Sequence, residues 1–192
     1  MAIEYELKYR APEGTLEKLR AAFPGHWLET AMETTYYDTP DGALSARKWT
    51  LRRRLENGES ICTLKTPRGS ARNEWEVACD SITAALTELC KLGAPEELLS
   101  LAPEALIPVC GARFTRYSRN LKLPHRTEAD LSFDTGILFA GERQEKLCEV
   151  ELELKLGYPP AVDAEAARLA AEFGLTEEPR SKFKRAYDLR RN

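Results

Sequence analysis

Two short runs of alternating charge, at opposite ends of a 192-residue chain, constrain its fold more than any other feature. The first is Glu4-Tyr5-Glu6-Leu7-Lys8 and the second is Glu149-Val150-Glu151-Leu152-Glu153-Leu154-Lys155. Side chains alternate across a strand with period two. As a strand, the first run puts Glu4, Glu6, Lys8 and Arg10 on one face and Tyr5, Leu7 and Tyr9 on the other. The second makes an acidic stripe of Glu149, Glu151 and Glu153, backed by an apolar stripe of Val150, Leu152 and Leu154. Carboxylates packed this closely repel one another unless positive charge sits among them, and a divalent cation is the usual answer.

The middle of the chain carries cations at the same spacing. Arg52 and Arg54 share a face in Leu51-Arg52-Arg53-Arg54, and Lys65 follows in Thr63-Leu64-Lys65. Arg72, Glu74 and Glu76 fall together, opposite Trp75. The segment Thr115-Arg116-Tyr117-Ser118-Arg119 adds Arg119, with Arg116 as a second candidate. Two readings fit this alternation. In one, a half-buried antiparallel sheet keeps its apolar face in and its polar face out. In the other, the charged face lines the inside of a barrel and the apolar face packs against outer helices. Burying so many charges costs several kcal/mol per unpaired ion, so the second reading requires a wet channel and a strongly charged ligand. Arginine and lysine suit phosphate oxygens, and glutamate suits Mg²⁺ or Mn²⁺. A polyphosphate chain with a divalent metal satisfies both halves, and the alternation alone leaves both readings open.

Strands are expected near 2–10, 33–39, 48–56, 59–67, 72–79, 112–122, 126–135 and 145–156. The pair Asn57-Gly58 marks a type I′ hairpin turn between the third and fourth, and Asp134-Thr135-Gly136 marks another turn. Helices are expected over 13–23, 81–92, 163–173 and 179–189, with Asp163 as N-cap of the third and a short helix after Pro95. Asp38 is read as opening the turn at Pro40-Asp41-Gly42, and Trp27, Trp49 and the tyrosines as packing residues.

Composition narrows the class. At 43% apolar residues the chain is an ordinary globular protein, and a net charge of −3 points to no nucleic-acid partner. Five cysteines without CxxC spacing and only two histidines argue against zinc and for reduced thiols in the cytoplasm. No apolar run reaches membrane-spanning length, and charge from residue 4 onward leads to the expectation of no signal peptide.

The ordered set of motifs carries more than any one of them. Glu4-x-Glu6-x-Lys8 is followed by Tyr36-Tyr37-Asp38-Thr39, Leu51-Arg52-x-Arg54, Thr63-Leu64-Lys65 and Arg72-x-Glu74-x-Glu76. Then come Arg119, Asp130-x-x-x-Asp134-x-Gly136, Glu149-x-Glu151-x-Glu153 and Ser181-Lys182-x-x-x-Ala186-Tyr187. From Glu4 to about Leu189 this set resembles the CYTH superfamily, the triphosphate tunnel metalloenzymes, and within it bacterial inorganic triphosphatases. The resemblance implies an α+β fold: an eight-stranded antiparallel β-barrel tunnel with helices packed outside, as one domain over 1–192 without the CHAD domain some relatives carry.

It also implies an activity, the metal-dependent hydrolysis of inorganic tripolyphosphate to pyrophosphate and phosphate. Lys8, Arg52, Arg54, Lys65, Arg119 and Lys182 would bind the substrate. Glu4, Glu6, Glu151 and Glu153 would hold Mg²⁺ or Mn²⁺. Glu149, Glu151 or a second metal would orient and deprotonate the attacking water, with Lys8 and Arg52 also acting in catalysis. Glu74, Glu76, Asp130 and Asp134 would orient the cations or support the metal's ligands from behind. The expected partner is a small triphosphate, with the chain a monomer or homodimer. Other functions on the same scaffold are thiamine triphosphatase and class IV adenylyl cyclase. Those cyclases carry a His-Phe pair before the N-terminal glutamates, where this chain has only Met1, Ala2 and Ile3. A non-catalytic polyphosphate-binding module is the third possibility, disfavoured because every motif glutamate is retained.

Overall fold

A computed structural model of the chain describes residues 5–68, 71–101 and 106–190. Within them the elements follow in the order β1 Glu6–Arg10, α1 Thr15–Ala22, β2 Leu28–Asp38, α2 Ala43–Ala46, β3 Thr50–Glu56, β4 Glu59–Arg68, β5 Ala71–Ala78, α3 Ile82–Lys91, α4 Glu97–Leu101, β6 Ile107–Leu123, β7 Thr127–Ala140, β8 Arg143–Leu156, α5 Pro159–Phe173, β9 Thr176–Glu177 and α6 Lys182–Asp188. The strands form a single antiparallel sheet in the order β5-β4-β3-β2-β6-β7-β8-β1-β9. Eight long strands thus carry the fold, and the two-residue β9 only extends the β1 edge. Among the described residues no ladder joins β5 to β1, yet side chains from both ends of the sheet line one cavity. The sheet is therefore curled into a barrel-like tunnel.

Local chemistry explains several of these elements. Asn57 and Gly58 both have positive φ, 50° and 93°, as a type I′ turn between β3 and β4 requires. Residues 134–136, by contrast, lie inside β7 and form no turn. Gly136 is needed there for close approach: a Cβ would lie 2.1 Å from the Arg113 carbonyl oxygen and 2.5 Å from Phe114 Cα. Asp163 lies inside α5 and is not its cap, because Pro159 and Pro160 start the helix one turn earlier, after Tyr158. The Asp163 carboxylate instead accepts a hydrogen bond from the Tyr5 hydroxyl. Asp38 is a structural residue, accepting from the backbone N–H of Thr39, Leu44 and Ser45 and so tying β2 to α2.

The apolar faces of the strands point outward to the helices. Leu131, Phe133, Val150 and Leu152 pack with Leu19 of α1 and Val162, Leu169 and Phe173 of α5. On the other side Leu51, Cys62 and Leu64 pack with Leu86 and Leu89 of α3 and Leu98 of α4. Fully burying one such leucine or phenylalanine stabilises by about 1.5–3 kcal/mol, so the two outer layers offset the cost of a charged interior. Helix α6 is the exception. It lies on the concave side, where Phe183, Ala186 and Tyr187 pack on Tyr36, Cys110, Ala112, Phe114 and Leu138. One end of the interior is thereby apolar and filled, and the charged part is left beyond the helix N-terminus. None of the described helices is long and apolar enough to cross a membrane.

Candidate active site

Side chains of β1 to β6, β8 and α6 line a cavity of about 680 Å³, with eight cationic and five acidic side chains on its walls. Strand register sets the basic wall. Tyr36, Arg52, Thr63 and Glu76 form one row across β2, β3, β4 and β5, and Thr50, Lys65 and Glu74 form the next. Lys65 Nζ is 3.0 Å from Glu74, while Arg52 Nη2 is 3.8 Å from Glu74 and 3.7 Å from Glu76. Glu76 also accepts a hydrogen bond from the Thr63 hydroxyl at 2.9 Å. Arg54, two residues from Arg52 on the same face, pairs with Glu56. Among the described residues the buried Nε–H groups of Arg52 and Arg54 have no hydrogen-bond partner. Burial, and then the charge of Arg52, lowers the Arg54 guanidinium below its ordinary value. Two half-satisfied guanidiniums facing one cavity make a strong anion site.

The acidic wall comes from β1 and β8. Glu6 is the register partner of Glu153, and Lys8 that of Glu151. Directly paired side chains on one face of an antiparallel ladder are neighbours, so Glu6, Glu151 and Glu153 crowd together at the cavity. Lys8 Nζ is 3.6 Å from Glu6, and Lys155 Nζ is 2.7 Å from Glu153 and 3.6 Å from Asp130.

Deeper in, carboxylate oxygens of Asp134, Glu149 and Glu151 lie within 4.8 Å of one another. The Lys182 ammonium sits among them, 2.9 Å from Asp134 Oδ2 and 2.6 Å from Glu149 Oε2 and in contact with Glu151 Oε1. Arg116 pairs with Asp134 and Glu151, and Arg185 with Glu149. Ser181 positions Lys182 by capping α6, its hydroxyl accepting from the Lys184 N–H at 3.1 Å. Burial disfavours the Lys182 charge, but Asp134, Glu151 and Glu149 hold its pKa well above the ordinary lysine value. Burial likewise opposes the Glu151 charge, but Lys182 and Arg116 hold its carboxyl far below the usual range. Burial pushes Glu149 up, against the pull of Lys182.

These surroundings decide where a divalent cation fits. An ion at the centre of the Asp134–Glu149–Glu151 cluster would have to displace Lys182, which already pairs with all three carboxylates. Glu6, Glu151 and Glu153 offer hard oxygen donors on the cavity wall itself, the donor set Mg²⁺ and Mn²⁺ prefer. The residues present therefore fit such an ion on the β1–β8 wall.

Most of the expected residues meet at this cavity. Lys8, Arg52, Arg54, Lys65, Lys182, Glu6, Glu151 and Glu153 all line it, and Glu4 lies outside the described residues. Arg119 does not line it. It points from the opposite face of β6, donating from Nη1 to the Phe23 and Pro24 carbonyls at 2.6 and 3.2 Å and stacking near Trp27. Arg116 takes the cavity position because it is the register partner of Asp134, whereas Arg119 is that of the outward-facing Leu131. Once the charged face is known to turn inward, the alternation of β6 agrees: Tyr117, Leu121 and Leu123 share the face of Arg119, while Ser118 and Asn120 share that of Arg116. Nor does Glu149 line the cavity: its carboxylate is wholly buried between Lys182 and Arg185. Trp27, Trp49 and Trp75 belong to the outer packing layers.

Comparison with known proteins gives a consistent set of relatives. The family model described as CYTH domain matches residues 2–187. An inorganic triphosphatase of Haemophilus influenzae is 31% identical over 162 residues, which are 81% of this chain and 45% of that protein. The chain thus spans about 45% of the length of this curated relative. Among solved structures, a Pyrococcus horikoshii protein superposes with a TM-score of 0.64 at 24% identity, covering 98% of this chain and 99% of its own. A Hippeastrum protein, a putative adenylyl cyclase described as having dominant triphosphatase activity, gives a TM-score of 0.61 at 17% identity, covering 96% and 95%. These two likenesses establish a shared fold.

Proposed function

The chain belongs to the CYTH domain family, and from that premise we propose that it hydrolyses inorganic tripolyphosphate to pyrophosphate and phosphate with Mg²⁺ or Mn²⁺. The observation that carries this reading is the Arg52–Arg54 pair, partly buried, each with an unpartnered Nε–H, facing carboxylates across one cavity. A small, highly charged, metal-complexed anion is complementary to both walls at once.

In this reading Arg52 and Arg54 grip phosphate oxygens with two-pronged hydrogen bonds, and Lys8 and Lys65 add point charges on either side. Arg116 and Lys182 meet the phosphate at the deep end, offsetting charge that grows on its oxygens as the terminal phosphorus is attacked in line. Glu6 and Glu153, with Glu151, would hold the divalent ion. Such an ion would supply positive charge beside the phosphate and would lower the pKa of an attacking water. Glu151 stays ionised beside Lys182 and Arg116, so its part is to donate an oxygen and orient water. The Glu74 carboxylate, 3.0 Å from Lys65, keeps that lysine aimed at the substrate. Five free cysteines support a reducing, cytoplasmic setting.

The test is phosphate release from purified protein with inorganic tripolyphosphate, thiamine triphosphate and ATP in parallel, each with Mg²⁺, Mn²⁺ or EDTA. Fast release from tripolyphosphate, abolished by EDTA, is expected. Release only from an organic triphosphate would change the substrate, and silence on all three would turn the reading toward a binding module or a cyclase.

A further inference from the structure

Arg185 never reaches the cavity, yet it is built into the support of a residue that does. It lies three positions after Lys182 on α6, so both side chains leave one face of the helix. The two oxygens of Glu149 are divided between them: Oε2 faces Lys182 Nζ at 2.6 Å, and Oε1 accepts from Arg185 Nη1. The other edge of the Arg185 guanidinium is committed to Glu145, whose Oε1 accepts from Nε at 3.0 Å and Nη2 at 2.6 Å. Glu145 and Glu149 are both on β8, so one fork clamps α6 to two points of that strand. A third carboxylate, Glu178, lies 3.8 Å from Arg185 Nε and is itself held by Arg10 Nε at 2.6 Å and Arg180 Nη2 at 2.8 Å. Arg185 is 2% exposed and Glu149 wholly buried, so water does not substitute for either partner.

We infer that Arg185 is a positioning residue for Lys182. By occupying one oxygen of Glu149 it leaves the lysine a single oxygen there, so that the ammonium is shared with Asp134 and Glu151 and stays at the cavity wall. Without Arg185, both Glu149 oxygens compete for Lys182 and draw the ammonium away from Glu151. A lysine at position 185 keeps the charge but cannot supply the fork to Glu145 and Glu149. The kinetic consequence rests on the triphosphatase reading; the structural one does not.

The experiment combines a double-mutant cycle with crystallography. Tripolyphosphate kinetics are measured for wild type, R185M, R185K, K182M and the R185M/K182M double variant, with thermal melts of each. R185M is expected to lower kcat/KM about 10- to 100-fold, in the range seen when a group orienting a site residue is removed, with R185K between it and wild type. In the K182M background, removing Arg185 is expected to cost little more. The R185M crystal structure is expected to show the Lys182 ammonium withdrawn from Glu151. Additive losses, or Lys182 unmoved in R185M, would overturn the inference. Should R185M not fold, R185K takes its place in the cycle and in the crystal, and wild-type kinetics there would overturn it too. If the wild type itself leaves tripolyphosphate intact, the functional reading fails while the crystal structures still decide where Arg185 sends Lys182.

Discussion

Arg116 of β6 and Asp134 of β7 are register partners joined by two parallel hydrogen bonds, Nε to Oδ1 at 2.8 Å and Nη2 to Oδ2 at 2.7 Å. Asp134 is wholly buried, and its Oδ2 also faces Lys182 at 2.9 Å. The pair thus joins the basic wall to the deep carboxylate cluster. Replacing Asp134 with Ala leaves Arg116 and Lys182 short of a buried counter-charge. Losing one partner of a buried ion pair costs about 3–5 kcal/mol, and urea denaturation of Asp134→Ala should show a loss of that size. A change under about 0.5 kcal/mol, typical of surface sites, would mean that the cluster is not a structural unit.

Arg54 should behave in the opposite way. Its charge is opposed by burial and by Arg52, so the folded chain gains little from it. Because its partner Glu56 is partly exposed, Arg54→Met is expected to leave stability within about 1 kcal/mol of wild type, while tripolyphosphate binding measured by calorimetry weakens at least about tenfold. A large loss of stability with unchanged binding would assign Arg54 to the scaffold.

Glu6 and Glu153 face each other across the β1–β8 ladder. Glu6→Ala and Glu153→Ala are each expected to abolish turnover while circular dichroism stays that of the wild type. Full activity in either variant would sink the assignment of the metal to this wall. Arg52→Ala should raise KM, lower kcat, or both, since it removes contacts made in the ground and transition states alike.

Acid stability should depend on Glu178. The hydrogen bond from Arg180, with Arg10 adding to it against a smaller effect of burial, holds its carboxyl at about 2, below an ordinary 4.5. A depressed carboxyl binds fewer protons folded than unfolded, so its contribution is complete above the unfolded value and is lost as pH falls through the folded one. Denaturant melts between pH 6 and pH 2 should therefore show wild type losing more stability below about pH 4.5 than Glu178→Gln does. Parallel curves would show that the Arg10–Glu178–Arg180 cluster contributes nothing to acid stability.

Much of this molecule is written in its local pattern. Period-two alternation alone puts Arg52 with Arg54, Glu6 with Lys8, and Glu149 with Glu151 and Glu153, because strand geometry is a property of a few consecutive residues. Asn57-Gly58 specifies its hairpin for the same reason. What alternation does not carry is the relation between one strand and the next. Arg116 and Arg119 are of opposite parity, so only one of them can enter the tunnel, and a one-residue change of register would exchange them. That choice follows from pairing β6 with β2 and β7, contacts made across long stretches of chain. Depth along the channel is likewise not local. Glu149 shares a face with Glu151 and Glu153, but α6, arriving from the far end of the chain, fills that end and seals it between Lys182 and Arg185. The sequence by itself therefore determined which side chains stand together on a strand. Only the tertiary structure decided which face turned inward and which charges were left at the cavity, because both depend on what packs against the strand from elsewhere.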